Sequence, residues 1–198
     1  MNRSVQVAGR EVLSATPSAV EAGLRSVGLV LVGSALVAVC AHVSIPLWFT
    51  PVPVTLQPFA VLLLGMLLGP RLAFATMATY LAEGAAGLPV FTPHGLGGMA
   101  QLLGPTGGYL MSYPVVAPLV SVVWRRSSRS FSRGIVIAGA GSLVTLAMGA
   151  TWLGLWRHMP AGVLLTESVV PFLPGDVLKV LAAAGMAAGA ERWRRQRG

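Results

Sequence analysis

Two ionisable residues near the end of the chain, Asp176 and Lys179, have the types and spacing that could do chemistry. They lie in PFLPGDVLK (residues 171–179), which runs on into the apolar stretch LAAAGMAAGA. On a helix, residues three apart share a face, so the two side chains can pair or grip one ligand together. A charge at bilayer depth costs at least about 2.5–3.5 kcal/mol on insertion scales, so such residues face a bundle interior or a cavity. At about 1.5 Å per residue, Asp176 lies roughly 25 Å from Trp193, which puts the pair towards one side of the membrane. There an aspartate would accept N–H donors in a charge-assisted bond, and a lysine would meet a carboxylate as a point charge. A mutually neutralised ion pair joining two helices is the competing structural reading.

Composition says what must surround such a pair. Of 198 residues, 55% are hydrophobic and only 10% charged, with a mean hydropathy of +0.74. That exceeds soluble usage and leaves room for about six spans of roughly 20 residues. The net charge of +8 does not point to nucleic acid, because the basic residues fall between and outside the apolar runs. Cys40, the single cysteine, excludes an internal disulfide, and the scattered His42, His94 and His158 make no metal-ligand spacing. No cleavable signal pattern is read in the polar, mixed residues 1–23.

The expected architecture is an all-α integral membrane protein of six transmembrane helices, with structured outer loops capping a substrate pocket. Residues 1–23 form an N-terminal tail, with Ser18 and Glu21 as a capping box at its end. Residues 24–190 form the membrane domain, and 191–198 a basic C-terminal tail. The spans fall at about 24–43, 59–69 (starting as early as Thr55), 72–88, 105–124, 134–156, and from 163 or 171 to 190. Gly33, Ser34, Ala35, Ala38 and Ala41 offer a surface on the first span for close helix approach. Two Pro/Gly-rich stretches, 44–58 and 89–104, cannot be regular spans. Twelve of the fourteen basic residues share one side, leaving only Arg157 opposite and Lys179 inside the membrane. The positive-inside bias therefore puts both termini in the cytoplasm, and both irregular stretches and the Asp176 end outside.

Three unusual segments thus converge outside: VPVTLQ (52–57), residues 83–108, and PGDVLK (174–179). Irregular backbone at membrane depth is tolerated where it lines a cavity, and an Asp/Lys floor suits a small ligand with a donor face and an anionic end. Thr55 and Gln57 join the candidate site, the glutamine amide being able to serve either kind of group. Glu83 is a ligand contact, a partner for Lys179, or a protonated structural group. Tyr80 and Tyr109 are candidate contacts or packed aromatics, and Trp48 and Phe49 stack on a ligand or anchor at the interface. GPTGGY (104–109) lacks the Lys-Ser/Thr of a phosphate loop and reads as a turn and close-packing device. Neither a Walker A motif nor a G-x-S-x-G or HExxH pattern occurs, so transport or binding is favoured over ATP hydrolysis or familiar enzyme chemistry.

Several motifs occur here in the order seen in the BioY family, the biotin-binding S components of energy-coupling factor (ECF) transporters. They are VPVTLQ, GP-R at Gly69 to Arg71, the run from Tyr80 to Phe91, LGPTGGY and PFLPGDVLK, and the resemblance covers residues 45–190. It implies six helices, uptake of biotin across the cell membrane as a multi-pass protein, and no cofactor. It also implies a transmembrane coupling protein and two cytoplasmic ATPases as partners. By this resemblance Asp176 and Lys179 are the family's GD-x-x-K pair, with Asp176 assigned to the ureido ring and Lys179 to the carboxylate, and Gln57 is its first-loop glutamine. The family's Ala-x-x-x-Ala coupling face has its nearest match in Ser34-x-x-x-Ala38. Two other readings stay open. One is a membrane enzyme using Glu83, Asp176 and Lys179 as acid and base. The other is an ion-gradient-driven carrier of a small carboxylate, with Glu83 as its proton site.

Overall fold

The computed structural model describes residues 19–158 and 160–197. Residues 1–18, with the N-terminal tail and Ser18 of the capping box, lie outside them. The described chain is mostly helical. Its helices are α1 (Ala19–His42), α2 (Gln57–Leu67), α3 (Pro70–Ala85), α4 (Gly98–Leu103), α5 (Gly107–Arg126), α6 (Phe131–Arg157), α7 (Ala161–Ser168) and α8 (Leu173–Arg197). Among the described residues, four segments are long and apolar enough to cross a membrane: Ala19–His42, Gly107–Arg126, Phe131–Arg157 and Gly162–Arg197. The last of these joins α7 to α8 through a 3-10 turn at Val170–Phe172.

The expected second span is the main difference. Its helix, α2, has 11 residues, about 16 Å of length against a hydrocarbon core of about 30 Å. It begins at Gln57, with Pro58 in its first turn, where a missing N–H costs no helix bond. Eight of the 11 residues are buried, including the run from Ala60 to Met66. A helix apolar all round belongs inside a bundle, and α2 packs against α1, α5, α6 and α8. It is the core of the fold, with the longer helices around it.

Close packing explains the small residues. On α1, Gly33, Ser34, Val37, Cys40 and Ala41 are buried, and a Cβ on Gly33 would meet Thr76 of α3 at 2.7 Å. Gly33 and Ser34 therefore pack against α3, while Ala35 stays exposed. Ser34, fully buried, donates to the carboxylate of Glu83. Of the Ser34-x-x-x-Ala38 pair, Ser34 thus faces α3, while Ala38 is half-buried. The GPTGGY segment is a turn into α5, as expected. A Cβ on Gly108 would press on Trp152 and lie 2.7 Å from the Met148 carbonyl oxygen, so α5 and α6 meet backbone to side chain there.

Both irregular stretches are ordered. Residues 44–55 form a small hairpin in which Ser44 pairs with Thr55 and Ile45 with Val54. At its tip Trp48 is 95% exposed and stands edge-to-face on Phe49, as an interface anchor would. The second stretch contains the short helix α4, entered through Gly97 and Gly98 at positive φ. The expected basic loop shrinks to residues 127–130, because α5 runs on to Arg126 and α6 starts at Phe131. The expected C-terminal tail is likewise helical, since α8 continues to Arg197. Arg129 binds Glu191 at 3.1 Å and Arg195 approaches the Ser128 carbonyl at 3.5 Å, which gathers these arginines at one end of the bundle.

Gly108→Ala is expected to lower thermal stability in detergent by about 1–3 kcal/mol, as overpacking does. Gly139→Ala, where an added Cβ meets nothing within 4 Å, should be neutral or stabilising by up to about 1 kcal/mol. Equal melting of both variants would refute the close α5–α6 approach.

Candidate binding site

Away from the basic end, a cavity is lined by residues of α2, α5, α6 and α8, together with residues of the hairpin and of the α3–α5 connection. Its empty space is about 550 Å³ including the open mouth. Val52, Pro53, Leu110, Leu146 and Phe172 form apolar wall, and the polar wall includes Asp176, Lys179, Gln57 and Thr55.

Asp176 and Lys179 are each 7% exposed. Lys179 Nζ donates to Asp176 Oδ1 at 2.9 Å, and Ser142 Oγ on α6 donates to Asp176 Oδ2 at 2.7 Å. Asp176 also lies in the first turn of α8, where the helix N-terminus favours negative charge. A buried ion pair repays its desolvation only when further hydrogen bonds satisfy its atoms. Asp176 has that support. Lys179 donates one of its three N–H groups among the described contacts, and the carboxylate keeps lone-pair capacity beyond its two bonds. The pair is therefore internally balanced yet able to bind further groups.

The other candidates divide. Gln57, 4% exposed, accepts from Thr55 Oγ1 at 3.0 Å and donates to the Tyr80 hydroxyl at 2.6 Å. Tyr80 in turn donates to the Val90 carbonyl at 3.1 Å and stands edge-to-face on Phe91. Tyr80 does not line the cavity; it ties the first outer stretch to the second through Gln57. Tyr109 does line it, and its hydroxyl is held by the Ser168 carbonyl at 2.8 Å. Glu83 lies apart from the cavity on Ser34, so the structure brings it neither to Lys179 nor to the site. Trp48 and Phe49 are also absent from the cavity wall.

Several lining residues were not singled out from the sequence. Gln101, 3% exposed, accepts from the Leu96 amide at 2.6 Å and the Gly97 amide at 3.3 Å. Its amide nitrogen donates to Thr106 at 2.6 Å, so one side chain shapes the second outer stretch. Thr92, Tyr113 and Thr145 complete the polar wall. A signal existed for α6, where Ser142 and Thr145 are polar and three apart in the otherwise apolar stretch 134–150. Gln101 is similarly the one amide in GMAQLL.

Fold and cavity together have the form of a multi-pass membrane protein with a pocket for a small ligand. The chain belongs to the BioY family, whose model matches residues 11–196. A probable biotin transporter BioY of Pyrococcus horikoshii is 36% identical over 159 residues, covering 80% of this chain and 91% of the relative. The biotin transporter BioY of Thermotoga maritima is 36% identical over 151 residues (76% and 86%). That of Rhodobacter capsulatus is 31% identical over 184 residues (86% and 95%). The fold matches a crystal structure of the S-component for biotin from an ECF-type ABC transporter. The TM-score is 0.79 at 26% identity, covering 90% of this chain and 95% of that one.

Lys179→Met leaves the Asp176 charge buried without its cation and should cost about 3–5 kcal/mol of stability. Adding Asp176→Leu should recover most of that loss. Unfolding of both variants in detergent checks it; an undiminished loss in the double variant would show that the pair is not electrostatically self-contained.

Proposed function

We propose that the chain binds biotin and mediates its uptake as the substrate-specific subunit of an ECF transporter. The observation that carries this is a buried, paired Asp176 and Lys179 with hydrogen-bonding capacity to spare, lining a cavity in a member of the BioY family. Biotin offers two ureido N–H donors, a ureido carbonyl and, beyond an apolar bicycle and valerate chain, a carboxylate. These polar ends lie at opposite ends of the molecule, whereas the charged atoms of the pair are 2.9 Å apart. Both residues therefore meet the same end. Asp176 accepts the ureido N–H groups and Lys179 donates to the ureido carbonyl, in place of the division between ring and carboxylate suggested by the sequence. Gln57, Thr55 and Tyr109 bound the remaining space, and Tyr80 acts by holding Gln57.

The chain crosses the cell membrane six times, α2 doing so as an internal helix sheathed by its neighbours. Both termini and the arginine-rich end face the cytoplasm under the positive-inside bias, and the hairpin and the α3–α5 connection cap the pocket on the outer side. With no nucleotide-binding motif in this chain, energy comes from a transmembrane coupling protein and cytoplasmic ATPases.

Equilibrium titration of the purified chain in detergent, without ATPases, should show saturable binding of unaltered biotin at one site. Asp176→Asn should weaken it roughly 10- to 100-fold, the worth of a hydrogen bond to a charged group. Lys179→Ala should weaken biotin and biotin amide by the same factor. A loss confined to the free carboxylate form would assign Lys179 to the other end, and no binding to folded wild type would reject biotin.

A further inference from the structure

Asp176 stands in a wall with two sides. One side is the ligand cavity; the other is a groove on the outer surface of the bundle between α6 and α8. That groove is lined by apolar side chains, among them Leu143, Leu173, Val177 and Leu181, and its polar members are Ser142 and Asp176. A carboxylate oxygen turned towards such a surface is strongly penalised unless a donor meets it. Ser142 is that donor. Its hydroxyl, on a residue 6% exposed, reaches Asp176 Oδ2 at 2.7 Å from the neighbouring helix, while Lys179 occupies Oδ1. It does not appear in the cavity wall, so it reaches a ligand only through Asp176.

We infer that Ser142 is a positioning residue for ligand recognition: it holds the Asp176 carboxylate by Oδ2 and, with Lys179 on Oδ1, fixes the side chain's orientation. This rests on the biotin-binding reading above. Without the hydroxyl, Oδ2 loses that donor and the carboxylate is free to turn, which breaks its alignment with both Lys179 and the ligand. Threonine keeps the donor, and its extra methyl has the groove to occupy.

The test is biotin titration of the full-length chain in detergent, as wild type, Ser142→Ala, Ser142→Thr, Asp176→Asn and the Ser142→Ala/Asp176→Asn double variant. Ser142→Ala should bind roughly tenfold more weakly, as loss of a hydrogen bond to a charged group does. Ser142→Thr should recover most of the affinity. In the Asp176→Asn background, Ser142→Ala should add little further loss, because it acts through Asp176. Wild-type affinity in Ser142→Ala, failure of threonine to rescue, or multiplying losses in the double variant would each overturn the inference while leaving biotin binding intact. A folded wild-type chain without biotin binding would overturn the functional reading itself, and this inference with it.

Discussion

The structure depends on keeping one carboxylate and one ammonium stable inside an apolar bundle. Neither group survives there alone, since the uncompensated charge would be desolvated with nothing in return. The chain meets this by placing Asp176 in the first turn of α8, Lys179 one turn on, and a serine hydroxyl on the adjacent helix. Three partial solutions converge on two side chains: helix-end electrostatics, ion pairing and a neutral hydrogen bond. The arrangement stays incomplete in a useful way. Donors on Lys179 and lone pairs on Asp176 are left over for further hydrogen bonds.

Around that pair the fold is organised by a short helix rather than a long one. Because α2 is only 11 residues and apolar on all sides, it needs neighbours on every side, and it receives α1, α5, α6 and α8. The hairpin before it carries Thr55 to the cavity wall beside Gln57, which opens α2. From Gln57 a chain of hydrogen bonds runs through Tyr80 to the Val90 carbonyl. The two outer stretches are thereby fixed to one helix and to each other. Gln101 does the same within the second stretch, satisfying two backbone amides that a loop at this depth would otherwise leave to water. Stiff loops matter for a binding subunit, since ordering a loop on binding subtracts from affinity.

The two ends of the bundle are chemically opposite. At one, Arg129 of the α5–α6 turn meets Glu191 of α8, which also pairs with Arg195; at the other lies the ligand cavity. Such asymmetry sets orientation in a bilayer, because translocating clustered arginines is costly whereas a cavity holding one internal ion pair carries no net charge.

The sequence alone determined the membrane character, the helix order and the central pair. Each follows from local signals: apolar runs long enough to span, prolines and glycines that interrupt them, and charges where none is tolerated unpaired. It also marked Gln57 and Thr55 through a proline-bounded segment that could not be a regular span, although Gln57 itself opens α2. What only the tertiary structure decided are relations between elements distant in sequence. Glu83 and Lys179 looked equally available to each other, but helix packing gave Glu83 to Ser34, 49 residues away. Tyr80 left the site and became its brace, while Ser142, a plain serine in an apolar run, became the partner of Asp176. Whether a polar side chain meets a ligand, a backbone carbonyl or another helix depends on which face packing turns inward. Spacing along one helix cannot specify that, because each helix's register is set by the others.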